Sequence, residues 1–265
     1  MMPEYFILIF VVLVGLCIGS FANVCIYRLP KKKSIVRPRS SCPSCGTTIK
    51  AWHNIPLLSF IFLGGRCAYC GTRISWRYPL IESLTAALFL WAFIDIFAGR
   101  GEMARFAVAL YLSSVFIIIL FIDLDHKIIP DSLSLPGIVI GFGVSFLPGY
   151  PLTWLDSLIG IIVGGALFLA VAELGERIFK KESMGGGDIK LAAMIGAFVG
   201  WKGILLVLGI ASFLGAVIGG TALALAKDKE SARMIPFGPF LVTAALIVYY
   251  RGPEIIEAYL RFIGR

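Results

Sequence analysis

Six runs without a single charged side chain punctuate this chain, at residues 5–27, 106–122, 132–155, 157–172, 203–226 and 234–250. About 20 apolar residues in a helix cross the hydrocarbon core of a bilayer, and several of these runs reach that length. Two further segments, 79–98 and 189–201, carry only Glu82, Asp95 and Lys190 as charges and join the set. Inside a bilayer the backbone must satisfy its own hydrogen bonds, so apolar spans of this kind fold as helices. Only 15% of residues are charged and 58% are hydrophobic. Mean hydropathy is +0.90, and a soluble domain of this size would need far more polar surface. The expected fold is an all-α polytopic membrane protein with about eight transmembrane helices, and the lipid bilayer is its first partner. The first run is read as a retained helix rather than a signal peptide. It opens on acidic Glu4, is too long for an h-region, and has its basic residues behind it. No internal repeat, heptad array or low-complexity tail is expected.

The net charge of +8 informs through its placement. If the spans alternate from an outside start, 18 of the 24 Lys and Arg residues fall on one side, within 28–77, at Lys127, within 177–190 and within 227–233. Only Arg100, Arg105, Lys202, Arg251, Arg261 and Arg265 fall on the other. The positive-inside rule makes the first group cytoplasmic. Topology therefore accounts for the basic charge, and no nucleic-acid partner is expected.

The one long polar segment, 29–78, holds Cys42-Pro-Ser-Cys45-Gly and Cys67-Ala-Tyr-Cys70-Gly, with 21 residues between the pairs. Two residues between thiolates let one tight turn aim both sulfurs at a single ion. Two such turns build a closed tetrahedral site, so Cys42, Cys45, Cys67 and Cys70 are expected to hold a structural zinc. A pair of disulfides is the rival, disfavoured in a reducing cytoplasm. His53 is a rival ligand better read as a packed or surface residue, while Cys17 and Cys25 in the first helix read as buried small apolar side chains. The apolar run 55–64 is too short to span and is expected at the interface or against the bundle. A helical apolar face over 254–265 reads as an interfacial segment.

Two carboxylates carry the chemistry. The run 106–122 ends on Asp123, and three glycines, Gly185–Gly187, deliver Asp188 to the head of the next apolar run. With alternating spans both acids reach the same cytoplasmic boundary, where ionisable groups are costly and commonly functional. Asp131 reads as a helix N-cap after Pro130, Asp125 as solvated or paired with Lys127, and capping is the rival role for Asp188. Capping alone leaves the glycines unexplained. They permit backbone conformations barred to other residues and close approach of another chain. No GxxxxGK[ST] phosphate loop is present. Two facing carboxylates share a proton, so that one activates water while the other polarises a peptide carbonyl, as in aspartyl proteolysis.

These residues resemble the GxGD class of membrane aspartyl proteases, and more narrowly the bacterial type IV prepilin peptidases. The resemblance is carried by 19–30 (GSFANVCIYRLP), both CxxCG units, 52–60 (WHNIPLLSF), 77–82 (RYPLIE), 121–131 (FIDLDHKIIPD), 184–191 (MGGGDIKL) and 235–240 (IPFGPF). It implies that Asp123 and Asp188 are the catalytic pair. It implies prepilin and pseudopilin substrates, cut at the cytoplasmic face of the bacterial inner membrane. It further implies N-methylation of the new amino terminus from S-adenosylmethionine, whose site the sequence does not locate; Glu82 and Gly65-Arg66 are candidates for it, with packing or capping as their equal alternative. The expected organisation is a first helix at 1–28, a small cytoplasmic zinc insert at 29–78, a peptidase bundle at 79–250 and a terminal interfacial segment at 251–265. The alternatives are a GxGD protease for other substrates without methyl transfer, and a proton-coupled transporter.

Overall fold

Nothing in 5–27 interrupts a helix, and the chain forms α1 over Met2–Arg28. In this computed structural model, residues 2–179, 185–225, 236–262 and 264 are described. Lys180, Lys181, Lys227, Lys229, Arg233 and Arg265 of the charge pattern, and the motif residues Met184 and Ile235, lie outside them. All regular structure among the described residues is helical. A short α2 (Leu58–Phe62) lies inside the polar insert. It is followed by α3 (Arg77–Ala92), which widens into a π-turn to Ala98, and by α4 (Met103–His126). Then come α5 (Asp131–Val144), α6 (Trp154–Phe179), α7 (Gly186–Leu214), the short α8 (Gly220–Leu225) and α9 (Gly238–Phe262).

Five stretches among the described residues are long and apolar enough to cross a membrane: Tyr5–Lys31, Arg77–Ala98, Met103–His126, Trp154–Leu174 and Gly186–Ala222. The last holds two of the eight apolar runs. They are separated at Gly200, whose φ of 71° and ψ of −179° break the helix in a region open essentially to glycine alone. The outward faces carry large exposed apolar side chains, among them Phe6, Phe10, Ile162 and Phe213. Such surfaces match acyl chains and would associate in water. The chain is a multi-pass membrane protein.

It folds as two compact units, 1–118 and 119–265. In the first, α1 packs on α3 through small residues. A Cβ placed on Gly15 would lie 2.7 Å from the Ala86 Cα, and one on Gly19 would lie 2.7 Å from the Glu82 Cα. In the second unit the same device recurs. Cβ atoms at Gly160 and Gly164 of α6 would meet the carbonyl oxygens of Gly196 and Ala192 of α7. Gly137 and Gly141 of α5 likewise meet Met194 and Ala197 of α7. Where lipid is as apolar as leucine, close backbone approach of this kind drives helix association. The outcome is that α7 is enclosed by α5, α6 and α9, with Leu191, Met194 and Ile195 fully buried.

Candidate active site and metal centre

Asp123 sits in the last turn of α4 and Asp188 in the first turn of α7, both within the second unit. Asp123 is 5% exposed. Its Oδ2 accepts a hydrogen bond of 3.0 Å from the backbone N–H of Gly238, at the start of α9. Asp188 is half-buried, and its Oδ1 is buried with no hydrogen-bond partner. The Asp123 charge acts directly on Asp188. A buried carboxylate oxygen without a donor is costly and marks a place for a polar occupant. Two acids from different helices therefore converge at one end of the unit, one tied to the backbone and one held open.

The connection from α4 to α5 closes this end. Ile129 is buried, and a Cβ on Gly187 would lie 3.0 Å from the Ile129 Cβ. Asp131 pairs with Lys190, its two carboxylate oxygens 2.8 and 2.7 Å from Nζ. The glycines thus act through size. None of Gly185, Gly186 and Gly187 has a positive φ, contrary to the expectation of a backbone conformation barred to other residues. Gly187 makes room for Ile129, a Cβ on Gly185 would stand 3.6 Å from Asp188 Oδ2, and the space beside Gly186 is open.

The capping expectation for Asp131 is corrected as well. The N-cap of α5 is Pro130, with no side-chain cap bond, and Asp131 reaches across to Lys190 instead. The N-cap of α7 is Gly185, and the Asp188 N–H donates to its carbonyl at 3.0 Å. The Asp188 side chain lies in the first turn of α7, where its charge also complements the helix dipole. Asp125 is exposed on the opposite side of α4 from Asp123. Gly238 has no chemistry in its side chain, and only its place in the 235–240 stretch marked it in the sequence.

In the first unit, Cys42, Cys45, Cys67 and Cys70 gather their sulfurs within 4.8 Å of one another. A zinc–sulfur bond of about 2.3 Å in a tetrahedron sets sulfurs about 3.8 Å apart. Cys42 Sγ and Cys70 Sγ stand 3.8 Å apart, so the residues fit the ion. Each knuckle closes the same way. The N–H groups of Cys42 and Cys67 bond to the carbonyls of Thr47 and Thr72 at 3.0 and 2.9 Å, and Gly46 and Gly71 turn the chain with φ near 70°. Thr47 and Thr72 hydroxyls lie 3.4 and 3.3 Å from Cys45 and Cys70. The Thr72 hydroxyl, then its backbone, hold the Cys70 thiol down at about 6, favouring the thiolate a metal takes.

The two knuckles echo each other locally, Cys42–Thr47 with Ile49 against Cys67–Thr72 with Ile74. His53 stays outside the cluster and packs edge-on against Trp52 and Tyr69. Cys25 is buried as expected, but Cys17 is exposed on α1, where a small apolar thiol faces outward at no cost. Glu82 is buried, and its Oε2 accepts the Leu57 N–H at 2.9 Å. Gly65 adopts φ 66° against the Phe60 ring, a packing role.

Residues 13–96 match the bacterial peptidase A24 N-terminal domain, and residues 110–220 match the type IV leader peptidase family. The prepilin leader peptidase/N-methyltransferase of Aeromonas salmonicida is 38% identical over 285 residues, covering 98% of this chain and 95% of its own. The chain belongs to the type IV leader peptidase family. The enzyme of the same name from Pseudomonas aeruginosa is 36% identical over 96% of this chain and 93% of its own. One from Myxococcus xanthus is 44% identical over 82% of this chain, a match that spans 64% of that longer relative. No solved structure matches. Membership makes the chain a membrane peptidase, with methyltransferase activity named alongside in these relatives, and favours proteolysis over transport for the acid pair. Asp123 and Asp188 fall within the leader peptidase segment, and all four cysteines within the N-terminal one.

Proposed function

We propose that this chain removes the leader from type IV prepilins and type II secretion pseudopilins by aspartyl proteolysis, with Asp123 and Asp188 as the catalytic pair. It then methylates the new amino terminus from S-adenosylmethionine. The observation that carries the reading is the acid pair itself, with Asp123 fixed by the Gly238 amide and Asp188 Oδ1 buried and free. Between them the two carboxyls hold one proton. The charged one takes a proton from water as its oxygen attacks the peptide carbonyl, and the protonated one donates to that carbonyl. Collapse breaks the C–N bond, and the leaving nitrogen receives a proton from the pair. A prepilin helix lying in the bilayer presents its leader junction at this membrane edge, on the cytoplasmic side of the inner membrane by the charge distribution. The open space beside Gly186 admits an extended backbone.

In the second step the lone pair of the freed amine attacks the sulfonium methyl. The C–S electrons stay on sulfur, and the amine sheds its proton to solvent. Zinc at Cys42, Cys45, Cys67 and Cys70 leaves no open coordination position, so its role is to hold the 29–78 module together. The test is mass spectrometry of a purified prepilin incubated with the enzyme, with and without S-adenosylmethionine. Leader loss in both, and a gain of one methyl only with the cofactor, is the expected result. An intact prepilin in the presence of folded enzyme overturns the peptidase reading, and cleavage without methylation removes the transferase.

A further inference from the structure

A groove of about 450 Å³ runs along α1 in the first unit. Cys17, Phe21, Val24 and Arg28 form its wall, following one another along a single helix face. Gly15 and Gly19, which pack on α3, lie on the opposite face, so the groove opens away from that helix pair. From Cys17 to Arg28 the helix rises about 16 Å, close to the roughly 15 Å of hydrocarbon in one bilayer leaflet. The rim at the helix end is cationic. Arg28 donates to the carbonyl oxygens of Ser34 and Pro38 at 2.9 and 2.8 Å, which draws the 34–38 loop over the end of α1. A guanidinium has donors beyond those two, and Arg39 and Val36 stand on the same rim.

The charge around this groove goes beyond what topology requires. No acid occurs between Glu4 and Glu82, a stretch that holds ten Lys and Arg residues. The basic stretches around Lys127, at 177–190 and at 227–233 interleave with Asp and Glu instead. The positive-inside rule counts Lys and Arg and is nearly indifferent to acids, so it does not account for their absence here. A purely cationic segment directly after a membrane helix suits the negative headgroups of the cytoplasmic leaflet. We infer that the groove binds one anionic phospholipid, with its phosphate at Arg28 and Arg39 and an acyl chain along Val24, Phe21 and Cys17. The two ends of the groove select an amphiphile. A free phosphate has no use for the apolar wall, and a neutral lipid has none for the cationic rim. Phe21, 46% exposed, and Val36, 79% exposed, are covered by such an occupant. The lipid fastens the loop that leads from α1 into the cysteine module to its leaflet, independently of the chemistry at the acid pair.

The test is native mass spectrometry of the full-length, zinc-loaded protein in neutral detergent, titrated with dioleoylphosphatidylglycerol or dioleoylphosphatidylcholine. Retention of a single phosphatidylglycerol per chain, in clear preference to phosphatidylcholine, is expected. Equal retention of the two lipids overturns the site. Glycerol 3-phosphate at the same concentration should not displace the lipid, and displacement would reduce the groove to an anion site and overturn the lipid. Because Arg28 also holds the loop, the variants are Arg39→Gln at the rim and Cys17→Trp in the wall, both at exposed positions. Arg39→Gln should weaken retention about fivefold, the scale for one basic side chain at an anionic surface. Cys17→Trp should weaken it by blocking the chain, whereas Arg66→Gln, a cation of the same segment outside the groove, should not. Unchanged retention in both groove variants overturns the site. A loss in Arg66→Gln equal to that in Arg39→Gln would mean diffuse charge attraction and overturns it too.

Discussion

Gly238 donates its backbone N–H to Asp123 Oδ2 at 3.0 Å, joining two residues 115 positions apart. A Cβ at 238 would lie 2.4 Å from that same oxygen, so any side chain must displace the carboxylate. Gly238→Ala is therefore expected to lower cleavage by on the order of 100-fold, the scale for a catalytic group moved by about 1 Å. Single-turnover cleavage of a purified prepilin reads the loss, while zinc content and the unfolding midpoint in detergent stay near wild type. Full activity in Gly238→Ala would show that the amide does not position Asp123.

The four acids near this end should separate cleanly. Asp123→Asn and Asp188→Asn are expected to abolish cleavage while the protein still inserts and folds. Asp125→Asn should cleave, because its side chain points away from the pair. Asp131→Asn breaks the bond to Lys190, but both partners are about half exposed, and such surface pairs contribute roughly 0–1 kcal/mol. A modest drop in unfolding midpoint with retained cleavage is the expected pattern. Cleavage by Asp188→Asn above the uncatalysed background would overturn the mechanism.

Gly186 and Gly187 should respond differently despite being adjacent. At Gly187 a Cβ meets Ile129, so Gly187→Val is expected to push the α4–α5 connection away from α7 and damage both stability and cleavage. At Gly186 nothing lies within 4 Å, and alanine in a helix is favoured over glycine by up to about 1 kcal/mol. Gly186→Ala should therefore keep or raise the unfolding midpoint. If the open space there admits substrate, its KM rises while the midpoint does not fall. Equal damage from both changes would mean the glycines serve the fold alone.

Features legible in the sequence were those that act locally. The apolar runs supply the long helices because a bilayer leaves the backbone no other solution, though within 132–155 helix α5 ends at Val144, and the CxxCG pairs marked a four-sulfur cluster through spacing alone. The acids stood out because a charge at the edge of an apolar run is expensive. What stayed hidden depended on partners distant in sequence. Asp131 looked like a cap until Lys190, 59 positions later, proved to hold it. Gly238 carried no chemical signal, since its contribution is a backbone amide whose use depends on where α9 begins. The break at Gly200 was equally silent, because a glycine in an apolar run reads the same whether it packs or bends. The duplicated knuckle was legible and local, but a repeat of some ten residues lies far below the 20–50-residue periods that mark repeat folds.

That duplication makes a prediction about the metal. The knuckles at Cys42–Thr47 and Cys67–Thr72 share their turn glycines, their hydrogen bonds and their threonine contacts, so neither pair is the senior one. One zinc per chain is expected by atomic emission, and Cys42→Ser and Cys67→Ser should lose it to the same degree. A half-occupied site surviving in one variant would mean that one knuckle binds alone. Metal removal should unfold the 29–78 module, because a site of four thiolates contributes its binding energy to folding. Asp123 and Asp188 belong to the 119–265 unit, which contains no cysteine. Zinc-free enzyme should consequently retain measurable leader cleavage. Loss of cleavage on metal removal would show that the module also serves the peptidase.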